Sequence, residues 1–272
     1  MDIEQRKKEI LQKKAYNADD LMVIVEILRA PGGCPWDREQ THESIRNDFI
    51  EETYEVIEAI DNGDPALLRE ELGDVLLQVA MHAQMESEAG RCNFNDIAND
   101  ICAKMIHRHP HVFGDVQAET SAEVLSNWEQ IKSEEKKRES ITDKLHAIPR
   151  QLPALMRAVK VGKKASVLDF PNAECVLDKV GEELAEVREA MTLGDAAHLE
   201  EEIGDLLLSV ASLARLLHVD AEQALGRATD KFIKRFATVE SLVEAAGARM
   251  DELCDEELDV FWQKAKKIKE NI

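Results

Sequence analysis

The sequence predicts an all-α protein made of two tandem copies of one helical unit, and three observations carry that expectation. Glu, Leu, Ala, Lys and Met, all good helix formers, dominate the chain, while only 4% of residues are aromatic and alternating β-branched runs are missing. Residues 51–80 and 182–211 align without a gap at an offset of 131, with roughly eighteen of thirty pairs identical. The helix punctuation repeats as well, since Gly63-Asp64 falls on Gly194-Asp195 and Gly73 on Gly204. A period of that length is domain-sized and too long for a solenoid.

Taken in order, Asn17 begins a helix to Ala30 that stops at Pro31-Gly32-Gly33. A loop, GGCPWD, follows, in which Trp36 is expected to serve as a packed anchor. The next helix is expected over 41–60 and is broken by Asp61-Asn62-Gly63; Asp64-Pro65 then supplies an N-cap and a first-turn proline for a helix to about Ala89, closed by Gly90. Asn95-Asp96 opens a helix to about Arg108, HPHVFG reads as a loop, and Ser121 caps a helix reaching about Arg138. The second copy is expected to form helices over 154–165, 173–192, 196–217, 221–247 and 255–270. The domain boundaries that follow are 1–139, a linker over 140–153 with Pro149 and Pro153, and 154–272.

Composition limits the partners. With 272 residues, 44% hydrophobic and 33% charged, the chain can bury a core in each copy. A formal charge of −21 repels polymeric nucleic acid and anionic membrane surfaces, yet leaves room for a small anion held through metal. Five cysteines without a C-x-x-C suggest reduced thiols rather than a disulfide framework or zinc site. No signal-peptide pattern and no apolar run of about 18 residues is present, so a cytoplasmic location is expected.

The chemistry is concentrated in acids. Glu52 with Glu55, and Glu71 with Asp74, are pairs three residues apart, which places each pair on one helix face. The offset maps them onto Glu183, Glu186, Glu202 and Asp205. The helices carrying Glu71 and Glu202 continue as LGDVLLQVAMHA and IGDLLLSVASLA, apolar nearly all round and therefore expected to be buried. A carboxylate on a buried helix is costly unless paired or bound to metal. No lysine or arginine follows Glu71 along 71–90. Oxygen-only ligands favour Mg²⁺, with Mn²⁺ as a substitute, over zinc. A ferritin-like di-iron bundle would need histidine three residues after Glu, where this chain has Asp. The histidines of HRHPH read as structural or substrate-facing.

These residues, with GCPWDREQTHESI (33–45), EETYEVIEAI, REELGDVLLQVAMHAQ, RHPHVFG (108–114) and NWEQIK (127–132), resemble the MazG family of nucleoside triphosphate pyrophosphohydrolases. The second copy, KVGEELAEVREAM with HLEEEIGDLLLSVASLAR, resembles the C-terminal domain of the two-domain bacterial members. The resemblance implies two MazG-like domains of the all-α NTP pyrophosphohydrolase fold, a homodimer, and Mg²⁺-dependent hydrolysis of NTP or dNTP to the monophosphate and pyrophosphate, as nucleotide-pool housekeeping. It points to Glu183, Glu186, Glu202 and Asp205 as catalytic metal ligands and to the N-terminal quartet as a second metal set. Lys231 and Arg235 in TDKFIKRF, with Lys104 and Arg108 as N-terminal counterparts, become candidate phosphate ligands. Lys179 and His198 each precede a metal-site acid by one turn and are further candidates, and Trp262 matches a family position that can stack on the base, with core or dimer packing as the other reading. A reading from another class is a metal- and nucleotide-binding sensor or scaffold with negligible turnover.

Overall fold

The computed structural model describes residues 3–135 and 140–268, and the chain divides into two compact units, 1–135 and 136–272. Every regular element among the described residues is helical. Unit one contains α1 (Ile3–Leu11), α2 (Ala18–Arg29), α3 (Pro35–Glu39), α4 (Arg46–Asn62), α5 (Pro65–Glu88), α6 (Phe94–Arg108), α7 (Pro110–Phe113) and α8 (Ser121–Glu135). Unit two contains α9 (Ile141–His146), α10 (Ala154–Lys164), α11 (Ala173–Leu193), α12 (Ala196–Leu216), α13 (Ala221–Ala245) and α14 (Asp255–Lys267). The expected ends at Arg138 and at residue 270 lie outside the described residues.

The centre of each unit is a helical hairpin, α4/α5 in one and α11/α12 in the other, and the connection explains both. Gly63 takes φ +64° and Gly194 φ +70°, the left-handed conformation that closes a helix end and that a Cβ disfavours. Asp64 then accepts from the N–H groups of Ala66 and Leu67, and Asp195 from those of Ala197 and His198. Two helix ends are thus satisfied within a two-residue connection.

In unit one, α2 packs on the C-terminal half of α5, burying Val25, Ile45, Ala80, Met81 and Met85 against Leu21, Met22 and Leu77. Arg29 seals that end. Its guanidinium pairs with both oxygens of Glu88 at 2.9 Å and donates to the carbonyls of Asp37 and Gln40, tying α2, α3 and α5 together. In unit two, α13 and α14 close over Val239, Val243 and Ala265, while α10 lies against α12.

Several expectations change. The stretch 140–153 contains a helix, α9, capped by Ser140 and packed on α10, so the expected linker includes an ordered element. HPHVFG includes the one-turn α7 begun by Pro110, and the actual cap of α6 is Asn93 in a capping box with Asp96. Trp36 is 62% exposed rather than packed. The hairpin helices are also not buried all round: Leu72, Leu76, Ile203, Leu207, Leu208 and Val210 are exposed, because each hairpin is covered on only part of its circumference within its own unit.

Candidate metal centre

The hairpins bring the acids together as two groups. Carboxylate oxygens of Glu52, Glu55 and Glu71 lie within 4.8 Å of one another, as do those of Glu183, Glu186 and Glu202. Spacing explains the convergence, since Glu52 and Glu55 share a face of α4 and Glu71 approaches from α5 across the short turn. Asp74 and Asp205 stand outside these two close groups. An aspartate is one methylene shorter than a glutamate, so the same backbone position reaches less far across the hairpin.

Electrostatics show strain of like charges in the first group. Burial, then the charges of Asp74, Glu55 and Glu71, push the Glu52 carboxyl above its usual value. Burial, followed by Glu55 and Asp74, does the same to Glu71. A divalent ion removes both penalties by neutralising the charges that oppose each other.

The second group carries its own cation. Lys179 Nζ lies 3.0 Å from Glu183 and 3.2 Å from Glu182, and the carboxylates raise the lysine well above its ordinary value. Lys179 also favours the ionised form of Glu186, but burial together with Glu183 and Glu202 outweighs it and Glu186 ends above normal. His198 Nδ1 lies 3.4 Å from Glu202. Lys179 and His198 therefore both reach the acid group, as their one-turn offsets predict. The oxygen-only donor sets suit a hard cation such as Mg²⁺ or Mn²⁺.

The remaining candidates are carried by helices other than the hairpins. Lys231 is exposed and Arg235 partly buried on α13. Trp262 packs on Phe232 at 5.2 Å between ring centres and, with Phe236, Met250 and Leu258, lines a cleft of about 310 Å³ between α13 and α14. Sequence reasoning found Trp262 but missed Phe232 and Phe236, whose four-residue spacing on one helix face was the available signal. Lys104 is exposed. Arg108 is buried, engages Glu135 and stacks over Trp128 at 5.4 Å, so it joins α6 to α8 instead of standing open to a ligand. Neighbouring His109 donates to the Met105 carbonyl and meets Trp128 edge-on. None of the HRHPH histidines belongs to a metal-ligand group among the described residues.

Comparison with known proteins identifies the family. The family model for the MazG nucleotide pyrophosphohydrolase domain matches residues 40–113 and again 172–240, the two segments that contain the acid groups. The chain is 45% identical to a nucleoside triphosphate pyrophosphohydrolase/pyrophosphatase MazG of Thermotoga maritima over 250 residues, covering 91% of this chain and 95% of that protein. It is 48% identical to a nucleoside triphosphate pyrophosphohydrolase of Escherichia coli over 256 residues, 92% of this chain and 97% of that one. A Mycobacterium tuberculosis protein of the same description is 34% identical over 89% of this chain and 63% of its own length. With the domain present twice and each copy folded around its own acid hairpin, the chain belongs to the MazG nucleotide pyrophosphohydrolase family.

Proposed function

We propose that this protein hydrolyses nucleoside triphosphates to the monophosphate and pyrophosphate at the acid hairpin of its second unit. The observation that carries the reading is the convergence of Glu183, Glu186 and Glu202 beside the Lys179 ammonium and the His198 imidazole, within a segment matched by the family model. Names of the similar proteins from Thermotoga maritima and Escherichia coli support the same reaction. Glu183, Glu186, Glu202 and Asp205 are the residues that would hold Mg²⁺, with Mn²⁺ as a substitute. The ion supplies neutralisation of the triphosphate and polarisation of the α-phosphorus.

The chain's own groups then have distinct tasks. A carboxylate in the group takes the proton of the attacking water as its oxygen bonds to the α-phosphorus and the bond to the bridging oxygen breaks, releasing pyrophosphate. Lys179 and His198 offer donors to phosphate oxygens, with Lys231 and Arg235 as candidates for the outer phosphates. The aromatic cleft beside Trp262 offers a face on which a base can stack. The N-terminal group Glu52, Glu55 and Glu71, with Asp74, is assigned as a second metal site, with the exposed Lys104 of α6 as a phosphate candidate.

The exposed apolar faces of the hairpins support a homodimer. The charge of −21 supports a small-molecule nucleotide partner over polymeric nucleic acid. No helix among the described residues is long and apolar enough to cross a membrane. A cytoplasmic enzyme that clears unwanted triphosphates from the nucleotide pool is consistent with these features.

The test is product analysis with α-labelled and γ-labelled ATP and a panel of other triphosphates in Mg²⁺. The expected products are AMP and pyrophosphate, lost in Glu202→Ala and in Asp205→Ala with circular dichroism unchanged. Release of ADP and orthophosphate contradicts the reading. Saturable binding of every triphosphate without turnover would instead favour a sensor.

A further inference from the structure

The two acid groups share their acids but not their surroundings. At the offset of 131, Lys179 corresponds to Asp48 and His198 to Leu67. In the second unit the Lys179 ammonium sits 3.0 Å from Glu183, whose side chain is only 7% exposed, and it also contacts the exposed Glu182 at 3.2 Å. His198 stands against Glu202. In the first unit, neither Glu52, Glu55, Glu71 nor Asp74 makes an ion pair among the described residues. A fifth acid, Asp48, occupies the place one turn before Glu52 where the second unit has its lysine.

A carboxylate already covered by an ammonium attracts a divalent ion less than a bare one, because the lysine must first be displaced. We propose that Lys179 is a resident counter-cation of the C-terminal acid group, so that the N-terminal group binds divalent ions at lower concentration. The C-terminal group then loads fully only when a triphosphate draws the ammonium away. This inference rests on the metal-site reading above.

Two features make the exchange feasible. Glu182 is a second seat for the ammonium, so moving off Glu183 need not leave the lysine without a partner. The lysine stem is flexible and its head partly exposed, so the motion requires only side-chain rotation. Metal and triphosphate thereby become coupled ligands: each competes with or removes the same ammonium contact, and the coupling is reciprocal. Removing one unit charge at about 4 Å from a divalent ion changes its affinity by roughly thirtyfold even at the dielectric of bulk water. The consequence is an N-terminal site occupied by ion alone and a C-terminal site occupied by ion and nucleotide together.

The experiment is Mn²⁺ binding to the full chain, followed by the electron paramagnetic resonance of free Mn²⁺, with and without α,β-methylene-ATP. Wild type is expected to show two classes of site separated by about tenfold or more, the weaker tightening when the analogue is added. In Lys179→Met the weaker class should approach the stronger without nucleotide and gain little from the analogue. Asp48→Lys should weaken the tighter class, which keeps the idea testable if Lys179→Met folds poorly. Two classes that do not move in Lys179→Met, or a tight class insensitive to Asp48→Lys, overturn the proposal. Failure of the underlying metal reading is distinguishable: there, Glu183→Gln/Glu186→Gln would remove no Mn²⁺ at all.

Discussion

At the residue scale, the identity of the acids was legible in the sequence and their reach was not. Three-residue spacing fixes which side chains share a helix face, so spacing alone pairs Glu52 with Glu55 and Glu183 with Glu186. Which acids close together depends on side-chain length and on the crossing of two helices, and this separates Asp74 and Asp205 from the glutamates. One cluster gave no warning. His42 and His82 stack with ring centres 5.0 Å apart and their Nδ1 atoms at 2.7 Å, a contact that needs one nitrogen to donate and the other to accept. His42 Nε2 lies 2.8 Å from Glu86, close in distance but without the alignment of a hydrogen bond, and Glu86 is clamped by Arg91. Phe49 closes the other side, edge-on to His82.

Burial, then the neighbouring His42, lowers the His82 pKa from its ordinary 6.5, with Glu86 opposing. The unfolded chain therefore binds more protons than the folded one as pH falls below 6.5, and stability declines through that window. The Arg91 hydrogen bonds hold Glu86 at about 2, so its contribution is present above 4.5 and is lost as pH falls toward about 2. Thermal melts across pH should show both slopes. His82→Phe is expected to flatten the upper one and leave the lower; an unchanged upper slope would remove His82 as its source. Arg29 offers a second residue-level measurement. Arg29→Met strips the donors from two backbone carbonyls and the partner from Glu88, which is exposed enough to rehydrate. A loss of about 2 kcal/mol in urea denaturation of unit one is expected.

At the element scale, helices with strong punctuation were readable and short ones were not. Asn17, Asp64-Pro65, Asp195 and the glycines that follow the hairpin helices each satisfy a helix end chemically, so their signal is local. The helices α1, α3, α7 and α9 are nine residues or fewer, too short to display a convincing period, and α9 shows itself only through the Ser140–Asp143 capping box. The hairpin turns make an element-level prediction. A Cβ at Gly63 or Gly194 meets no atom within 4 Å, so any cost of alanine there comes from the positive φ rather than from crowding. Gly194→Ala is expected to cost about 1 kcal/mol. Gly73→Ala, at a helical glycine with equally open space, should stabilise by up to about 1 kcal/mol through helix propensity. Equal destabilisation by both substitutions would mean that space, not backbone conformation, governs these positions.

At the scale of the whole molecule, the uninterrupted apolar character of the hairpin helices acquires a different meaning from the one the sequence suggested. A helix apolar all round must be covered all round, and unit two by itself leaves Ile203, Leu207, Leu208 and Val210 43%, 52%, 47% and 43% exposed. Leu77, the counterpart of Leu208, is instead packed against the unit-one core beneath α2. The second hairpin therefore has more apolar surface left to cover. A second copy of the same chain would cover this face in a two-fold interface where each contact occurs twice, and finishing the burial of half-exposed leucines contributes about 1 kcal/mol apiece. Leu207→Glu introduces a charge on both sides of that contact. Sedimentation velocity at micromolar concentration should show a dimer for wild type and a monomer for Leu207→Glu, with helical circular dichroism retained. A wild-type monomer at that concentration would mean the exposed leucines of α12 are not an interface between copies.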